Sequence, residues 1–599
     1  MQKYTVNQFL VNNVLSWVQS GEIAIPEIQR PFVWKSSKVR DLMDSLYWGY
    51  PIGYLIAWKN PDVRLKDGTT SSGKRIIIDG QQRITALQAA MLGEKVVNSE
   101  YKKVRVKVAF HPLEEKFETL TPAIEKDKTW ISDISEYLRR EGGLFELVDW
   151  YCENNPDINR HRVQKSISNL FEIKNKQLGM IELNEELPID VVTQIFVRIN
   201  QQGVQLSQAD FAMSKIAAAG DRGINLRKAV DYFAHIIREP DFYRQLSEVD
   251  QEFNQTDYAQ KMSWVKDIND DLYQPSYSDI IRVSFTKEFN RGKLGDLVSL
   301  LSGRNFETRQ FEERIVNESF EKLKTGVLNF TNKTYYERFL MILKGIGFID
   351  RSLIRARNAI NFAYVLYLQL REDGYEDSVI EKYVAKWFIM SLLTGRYSAG
   401  SPETAFDEDI RKITDGGIER QLKSIEASEL SEGFWQTTLV DELDKAIISS
   451  PYLNVFWAAQ IKDNNRGFLS SDITVRDMIT HRGDVHHIFP KKYLRTRYSS
   501  RKDYNQIANL VYTQTEVNIK VGDKTPKDYM TDVLNQIESG ELKYGGISTK
   551  EELKENLKEN CIPEGIFEAD IESYPDFLAE RRKLMAEKIM QYYKSFNFN

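Results

Sequence analysis

An α+β chain of several domains is what this sequence predicts: a mixed α/β N-terminal part, a helical middle and a C-terminal part of different character. Three observations carry that prediction. The first 110 residues alternate between short β-branched runs and amphipathic helical patterns. Residues 220–430 are long amphipathic helical stretches with short polar breaks and no repeat period. The last 170 residues hold three of the six histidines, His481, His486 and His487, within seven positions, and a basic run follows. At roughly 100–200 residues per domain, 599 residues make three units reasonable. The expected boundaries are 1–215, 216–430 and 431–599.

Taken in order, Ile25-Pro26-Glu27-Ile28 reads as extended chain. Ser36 or Ser37 then caps a helix with Val39, Leu42, Met43 and Leu46 on one face, ended by Gly49 and Pro51. Tyr54–Trp58 is a short apolar strand, and a polar loop runs from Lys59 to Lys74. Arg75–Asp79 is a β-branched strand. Gly80 turns the chain into a helix from Gln81 to Leu92, which Gly93 stops. Val104–Val108 alternates as a half-buried strand does. From about residue 130 the pattern is helical, interrupted by the segment Ile195–Ser207, after which another helix starts. A charged amphipathic helix around Asp576–Tyr593 ends the chain.

Composition excludes several classes. With 42% hydrophobic residues the chain can build real cores. Two cysteines, Cys152 and Cys561, exclude a disulfide scaffold and a Cys-rich zinc module. The longest apolar runs, Phe362–Leu370 and Trp387–Leu393, fall short of the roughly 20 residues a membrane span needs. The N-terminus has no apolar segment after a basic start, so a cytoplasmic location is expected. A net charge of −6 excludes a chain coated in basic surface. Nucleic-acid binding would then need a local basic stripe.

Such a stripe lies beside the histidines. Residues 491–502 (KKYLRTRYSSRK) hold six basic side chains and no acidic one. Lys491, Lys492, Arg495, Arg497 and, further on, Lys520 are the candidate contacts to DNA phosphates. The histidine segment is Gly483-Asp484-Val485-His486-His487-Ile488-Phe489-Pro490, with Asn509 and Asn518 downstream. Adjacent histidines on a strand point to opposite faces and can take different tasks. One can bind a divalent metal while the other removes a proton. A later Asn can hold the base's ring in place, and a second can offer the metal a hard oxygen. Phosphodiester hydrolysis uses such a set.

At the other end, Gln29-Arg30-Pro31-Phe32-Val33-Trp34 precedes Ile78-Asp79-Gly80-Gln81-Gln82-Arg83-Ile84-Thr85. The second segment is a strand, a glycine turn and a helix start, where backbone N–H groups favour an anion. Gln81, Gln82 and Arg83 can donate to phosphate oxygens, Arg83 with two parallel bonds. Asp79 can hold a metal or water on the phosphates, and Arg30 adds a second cation. Two look-alikes are set aside. Gly68–Lys74 is nearly a P-loop but ends in Arg75 and precedes a strand. Pro575-Asp576 with Glu580-Arg581-Arg582 imitates a PD-(D/E)xK nuclease but lies in a helical pattern and lacks the final lysine.

The C-terminal segment resembles the ββα-metal, or HNH, fold, in a form like that of CRISPR effector HNH domains. That resemblance assigns His486 and Asn518 to the metal, His487 to the general base and Asn509 to orienting it. Many members carry Asp where this chain has His486; colicin-type nucleases also use adjacent histidines, and Asp484 is a backup ligand. With the Gln29-Arg30…Trp34, Asp79–Arg83 and Phe196-Val197-Arg198-Ile199-Asn200…Gly203…Leu206-Ser207 motifs in view, the chain is similar to fused GmrSD-like type IV restriction enzymes, including the BrxU and SspE branches. The resemblance implies a ParB/sulfiredoxin-like N-terminal domain that binds and hydrolyses nucleoside triphosphates. Gln29, Arg30, Asp79, Gly80, Gln81, Gln82, Arg83 and Thr85 would line that site, and Arg198 and Asn200 would support it. It also implies a DNA-cutting C-terminal domain that needs a divalent ion (Mg²⁺, Mn²⁺ or similar) and acts on double-stranded, modified phage DNA. The helical middle would transmit the nucleotide state or pair two chains as a homodimer. The alternatives are a nickase that senses phosphorothioate or no modification, and a non-catalytic nucleotide-dependent DNA-binding switch.

Overall fold

The computed structural model describes residues 3–24, 34–59, 75–97, 103–140, 142–184, 187, 191, 208–217, 219, 221–398, 400–445, 449–481 and 483–597. Gln29, Arg30, Arg198 and Asn200 lie outside them, as does the polar loop after Lys59. The architecture is α+β and mostly helical, in two compact units, Met1–Arg227 and Lys228–Asn599.

The first unit is built on strands β1 (Tyr4–Leu10), β2 (Ile23–Ala24), β3 (Leu55–Lys59), β4 (Arg75–Asp79), β5 (Lys95–Val97), β6 (Lys103–Arg105), β7 (Val108–His111), β8 (Lys116–Thr119) and β9 (Gln177–Leu183). Five of them form a mixed sheet in the order β1-β9-β3-β4-β2. β1–β9 and β3–β4 run antiparallel; β9–β3 and β4–β2 run parallel. The expected alternation over Val104–Val108 breaks into β6 and β7, each of which pairs in its own two-stranded sheet. Strand β9 is a finding the helical pattern after residue 130 concealed. Its Leu178, Met180 and Leu183 are buried, and the strand lies between β1 and β3.

The helix Ser36–Tyr47 buries the expected Val39, Leu42, Met43 and Leu46, with Tyr47 added. Lys35, not a serine, sits at its start, and no side chain caps it there. The stretch after Gly80 is an α-helix only over Gln81–Leu87; Gln88–Leu92 widens into a π-turn that Gly93 closes at φ +69°. Gly80 itself adopts φ +96° where β4 turns into that helix. A Cβ there would press into the Leu55 side chain on the neighbouring strand. Gly80→Ala is therefore expected to destabilise this unit by about 2 kcal/mol, measured as a lower urea midpoint of the full chain.

The second unit is helical around two helices with long buried stretches, Arg357–Glu372 and Asp377–Leu393. These carry the apolar runs seen in the sequence, and burial on all sides explains them. Among the described residues no helix is long and apolar enough to cross a membrane. The C-terminal helix Tyr574–Lys594 ties the unit together. Tyr592 donates to the Ile346 carbonyl at 2.5 Å and Tyr593 to the Glu426 carboxylate at 2.8 Å. Within this unit strands β10 (Asp484–His487) and β11 (Leu510–Thr513) form an antiparallel pair, and the helix Thr515–Val521 follows directly.

Candidate active site

The β10–β11 pair and the helix after it position the histidine set. The register sets His486 opposite Val511 and His487 opposite Leu510, where pairing ends. At this end of the strand pair both histidines line one cleft of about 350 Å³. Asn518, from the helix Thr515–Val521, lines it too. Lys491, Lys492 and Arg495 form its basic wall, and Asp523 lies on the rim past Gly522.

His487 is held through Nε2, which lies 3.0 Å from Oδ1 of Asn505. Its pKa is pulled below the ordinary 6.5, chiefly by burial. The nearby charge of Lys491 acts in the same direction, and the bond to Asn505 opposes both. The ring is thus neutral at neutral pH, the state a proton acceptor needs.

Asn509 does not hold that ring, contrary to the role the resemblance gave it. Its carboxamide is fully buried and spent on the main chain. Oδ1 accepts the Phe489 N–H at 2.8 Å; Nδ2 donates to the carbonyls of Phe489 and Tyr504, both at 3.2 Å. The sequence spacing of 22 residues is right for the neighbourhood, but the buried backbone groups claim the amide first. Around this clamp, Arg581 donates to the carbonyls of Ala508 (2.7 Å), Leu510 (2.9 Å) and Asn560 (3.1 Å). Tyr529 donates to the Ile488 carbonyl at 3.0 Å.

The basic stripe is partly committed. Lys491 and Arg495 stand 5.4 and 5.3 Å from the Tyr504 ring centre, cation–π contacts that leave both exposed beside the cleft. Lys492 pairs with Asp523 and Arg497 with Glu572. Lys520 is exposed on the helix that bears Asn518. His481 lies apart; its Nδ1 is 2.9 Å from the Asp477 carbonyl one turn earlier.

Among the described residues no three His, Cys, Asp or Glu side chains cluster as a metal site. A divalent ion would instead draw on the mixed donors that line this cleft: His486, Asn518 and, if released from Lys492, Asp523. One nitrogen and two oxygens fit a borderline ion such as Mn²⁺ or Zn²⁺, and Mg²⁺ less well.

At the N-terminal turn, Arg83 is turned inward rather than toward a phosphate. Its Nη1 donates to the carbonyls of Ile52 (3.3 Å) and Tyr54 (2.8 Å), and Nη2 meets Asp79 at 3.3 Å. Burial lowers its pKa, and the Asp79 charge partly restores it. Gln81 folds back on the Ile77 carbonyl at 2.8 Å. Asp79 and Arg83 thus brace the Gly80 turn against the start of β3. Gln82 and Thr85 are half-buried on the same helix.

Sequence reasoning missed Asn505, Tyr504 and Asp523, and it read Arg581 only as part of a look-alike. A lone Asn after a basic run, and an Arg inside an amphipathic helix, carry no local signal of what they touch.

Two comparisons bear on this chain. Residues 11–217 match the family model described as the GmrSD restriction endonuclease, N-terminal domain, which supports the resemblance to GmrSD-like type IV restriction endonucleases. The chain is also 23% identical over 630 residues to the uncharacterized protein MJ0686 of Methanocaldococcus jannaschii, covering 95% of this chain and 96% of that protein.

Proposed function

Proceeding from a GmrSD-type N-terminal domain, which suggests a restriction endonuclease role and implies DNA binding, we propose that the chain cuts modified DNA at the His486/His487 cleft under nucleotide control. The observation that carries this reading is the meeting of both histidines, Asn518 and three cations in one cleft on a strand pair followed by a helix. His487, neutral and with a buried carboxamide on one nitrogen, takes the proton of the attacking water. Lys491, Lys492 and Arg495 draw the phosphate backbone in and hold it. A divalent ion held by His486 and Asn518 would supply charge stabilisation at the phosphate and leaving oxygen.

The substrate is double-stranded phage DNA with modified bases, glucosylated or hydroxymethylated cytosine among them. The first unit binds a nucleoside triphosphate at the Asp79–Arg83 turn and gates cleavage. There the inward bonds of Arg83 make it the brace of the turn; Asp79 would hold a metal or water on the phosphates, and Gln82 and the backbone N–H of Gln81 would donate to them. Two chains pair as a homodimer when they cut both strands.

The test is a digestion panel: hydroxymethylated, glucosylated, methylated, phosphorothioated and plain DNA of one sequence, with Mg²⁺ or Mn²⁺, with and without each nucleoside triphosphate. Cleavage confined to modified DNA and dependent on metal is expected. Equal cutting of plain DNA removes modification sensing, and no cutting in any lane removes the nuclease. Asp79→Ala is expected to lower nucleotide hydrolysis at least about tenfold, the scale of one lost charge-assisted contact; unchanged turnover moves the nucleotide site elsewhere.

A further inference from the structure

We infer that Asn505 is the positioning residue that sets the tautomer of His487 and leaves Nδ1 as the nitrogen that takes the proton. The inference deepens the proposed role of His487 and rests on it. The geometry is the 3.0 Å contact between His487 Nε2 and Asn505 Oδ1. A carboxamide oxygen only accepts, so the hydrogen sits on Nε2 and the lone pair on Nδ1.

The contact is built in, not incidental. Asn505 is 8% exposed, so water competes poorly for Oδ1. The carbonyl just before it, that of Tyr504, is gripped by the buried carboxamide of Asn509. The same carboxamide grips both main-chain groups of Phe489, two residues after His487. One side chain therefore fixes the spacing between the strand end that carries the base and the turn that carries its partner. The Asn505 N–H in turn donates to the Arg501 carbonyl at 3.2 Å, which holds the turn itself. The other polar groups lining the cleft are Lys491, Lys492, Arg495, His486, Asn518 and Asp523.

Ring-¹⁵N histidine labelling of the full chain tests this at pH 8, where exposed imidazoles are neutral. The His487 signals are assigned by their loss in His487→Gln. A protonated-type shift at Nε2 and an unprotonated one at Nδ1 are expected for the native chain. Asn505→Ala is expected to shift both signals toward a tautomer mixture and to slow DNA cleavage about 10–100-fold. A hydrogen on Nδ1 in the native chain overturns the inference, a reading that does not depend on the variant's folding. Unchanged ring shifts in a folded Asn505→Ala overturn it too, whatever happens to cleavage. A native chain that shows the expected tautomer yet cuts no DNA under any condition keeps the Asn505 assignment and removes the nuclease reading instead.

Discussion

His487→Ala is expected to lower DNA cleavage by about 10²–10⁴-fold, the range a positioned general base contributes, while DNA binding and thermal unfolding stay close to native. The ring ends its strand half-exposed to the cleft, so its removal opens no void in the core. The residues that hold the surrounding chain, Asn509, Arg581 and Tyr529, do so through main-chain groups that the substitution leaves in place. The pH dependence follows from the lowered pKa. Below its folded pKa the imidazole is protonated and cannot accept the water's proton, so activity falls as pH drops through that value. Because burial and Lys491 place it under 6.5, cleavage is expected to be flat from neutrality upward, with its acid limb below pH 6.5. Rate measurements from pH 5 to 8 check this. A loss limb centred above 7, or a His487→Ala chain that cuts at the native rate, removes His487 from the reaction.

Arg581→Met is expected to cost about 3–5 kcal/mol of stability. The guanidinium is fully buried and burial lowers its pKa to about 10, so it remains charged at neutral pH. It serves three main-chain carbonyls, those of Ala508, Leu510 and Asn560. Methionine matches much of its volume and removes all its donors, which leaves three buried acceptors unpaired. Two of them flank Asn509, so the loss falls on the clamp that fixes the His487–Asn505 spacing. A urea titration of the full chain should show the second unit unfolding earlier. Cleavage at low temperature, where the variant is still folded, should drop as well. A midpoint within experimental error of native would mean the carbonyls find water instead.

The N-terminal sheet was legible wherever a strand or helix shows its own period. β3, β4 and the helix Ser36–Tyr47 follow from apolar spacing, and the turn at Gly80 follows from a glycine between a β-branched run and a helical one. β9 was not legible. Its seven residues carry Gln, Gly and Glu among the apolar ones, and it becomes a central strand only because β1 and β3 offer edges on both sides. The same limit applies at the cleft. His486, His487, Asn518, Lys491, Lys492 and Arg495 were named from residue type and spacing, and the structure gathers them. The part given to Asn509 was misplaced, because nothing in a sequence tells which of two nearby carboxamides is the more deeply buried.

What the amino-acid order decided alone is the chemistry available: paired imidazoles, carboxamide oxygens, a basic run, a glycine turn, and apolar helices too short to span a bilayer. These are properties of residue types and of periods of 2 and 3.6, which a chain carries before it folds. The tertiary structure decided which side chains are spent. Arg83, Asn509 and Arg581 carry strong donors that water would occupy in an unfolded chain. Burial strips that water away, and each donor turns to the nearest main-chain carbonyl. Asn505, by the same loss of water, keeps its oxygen for the His487 ring.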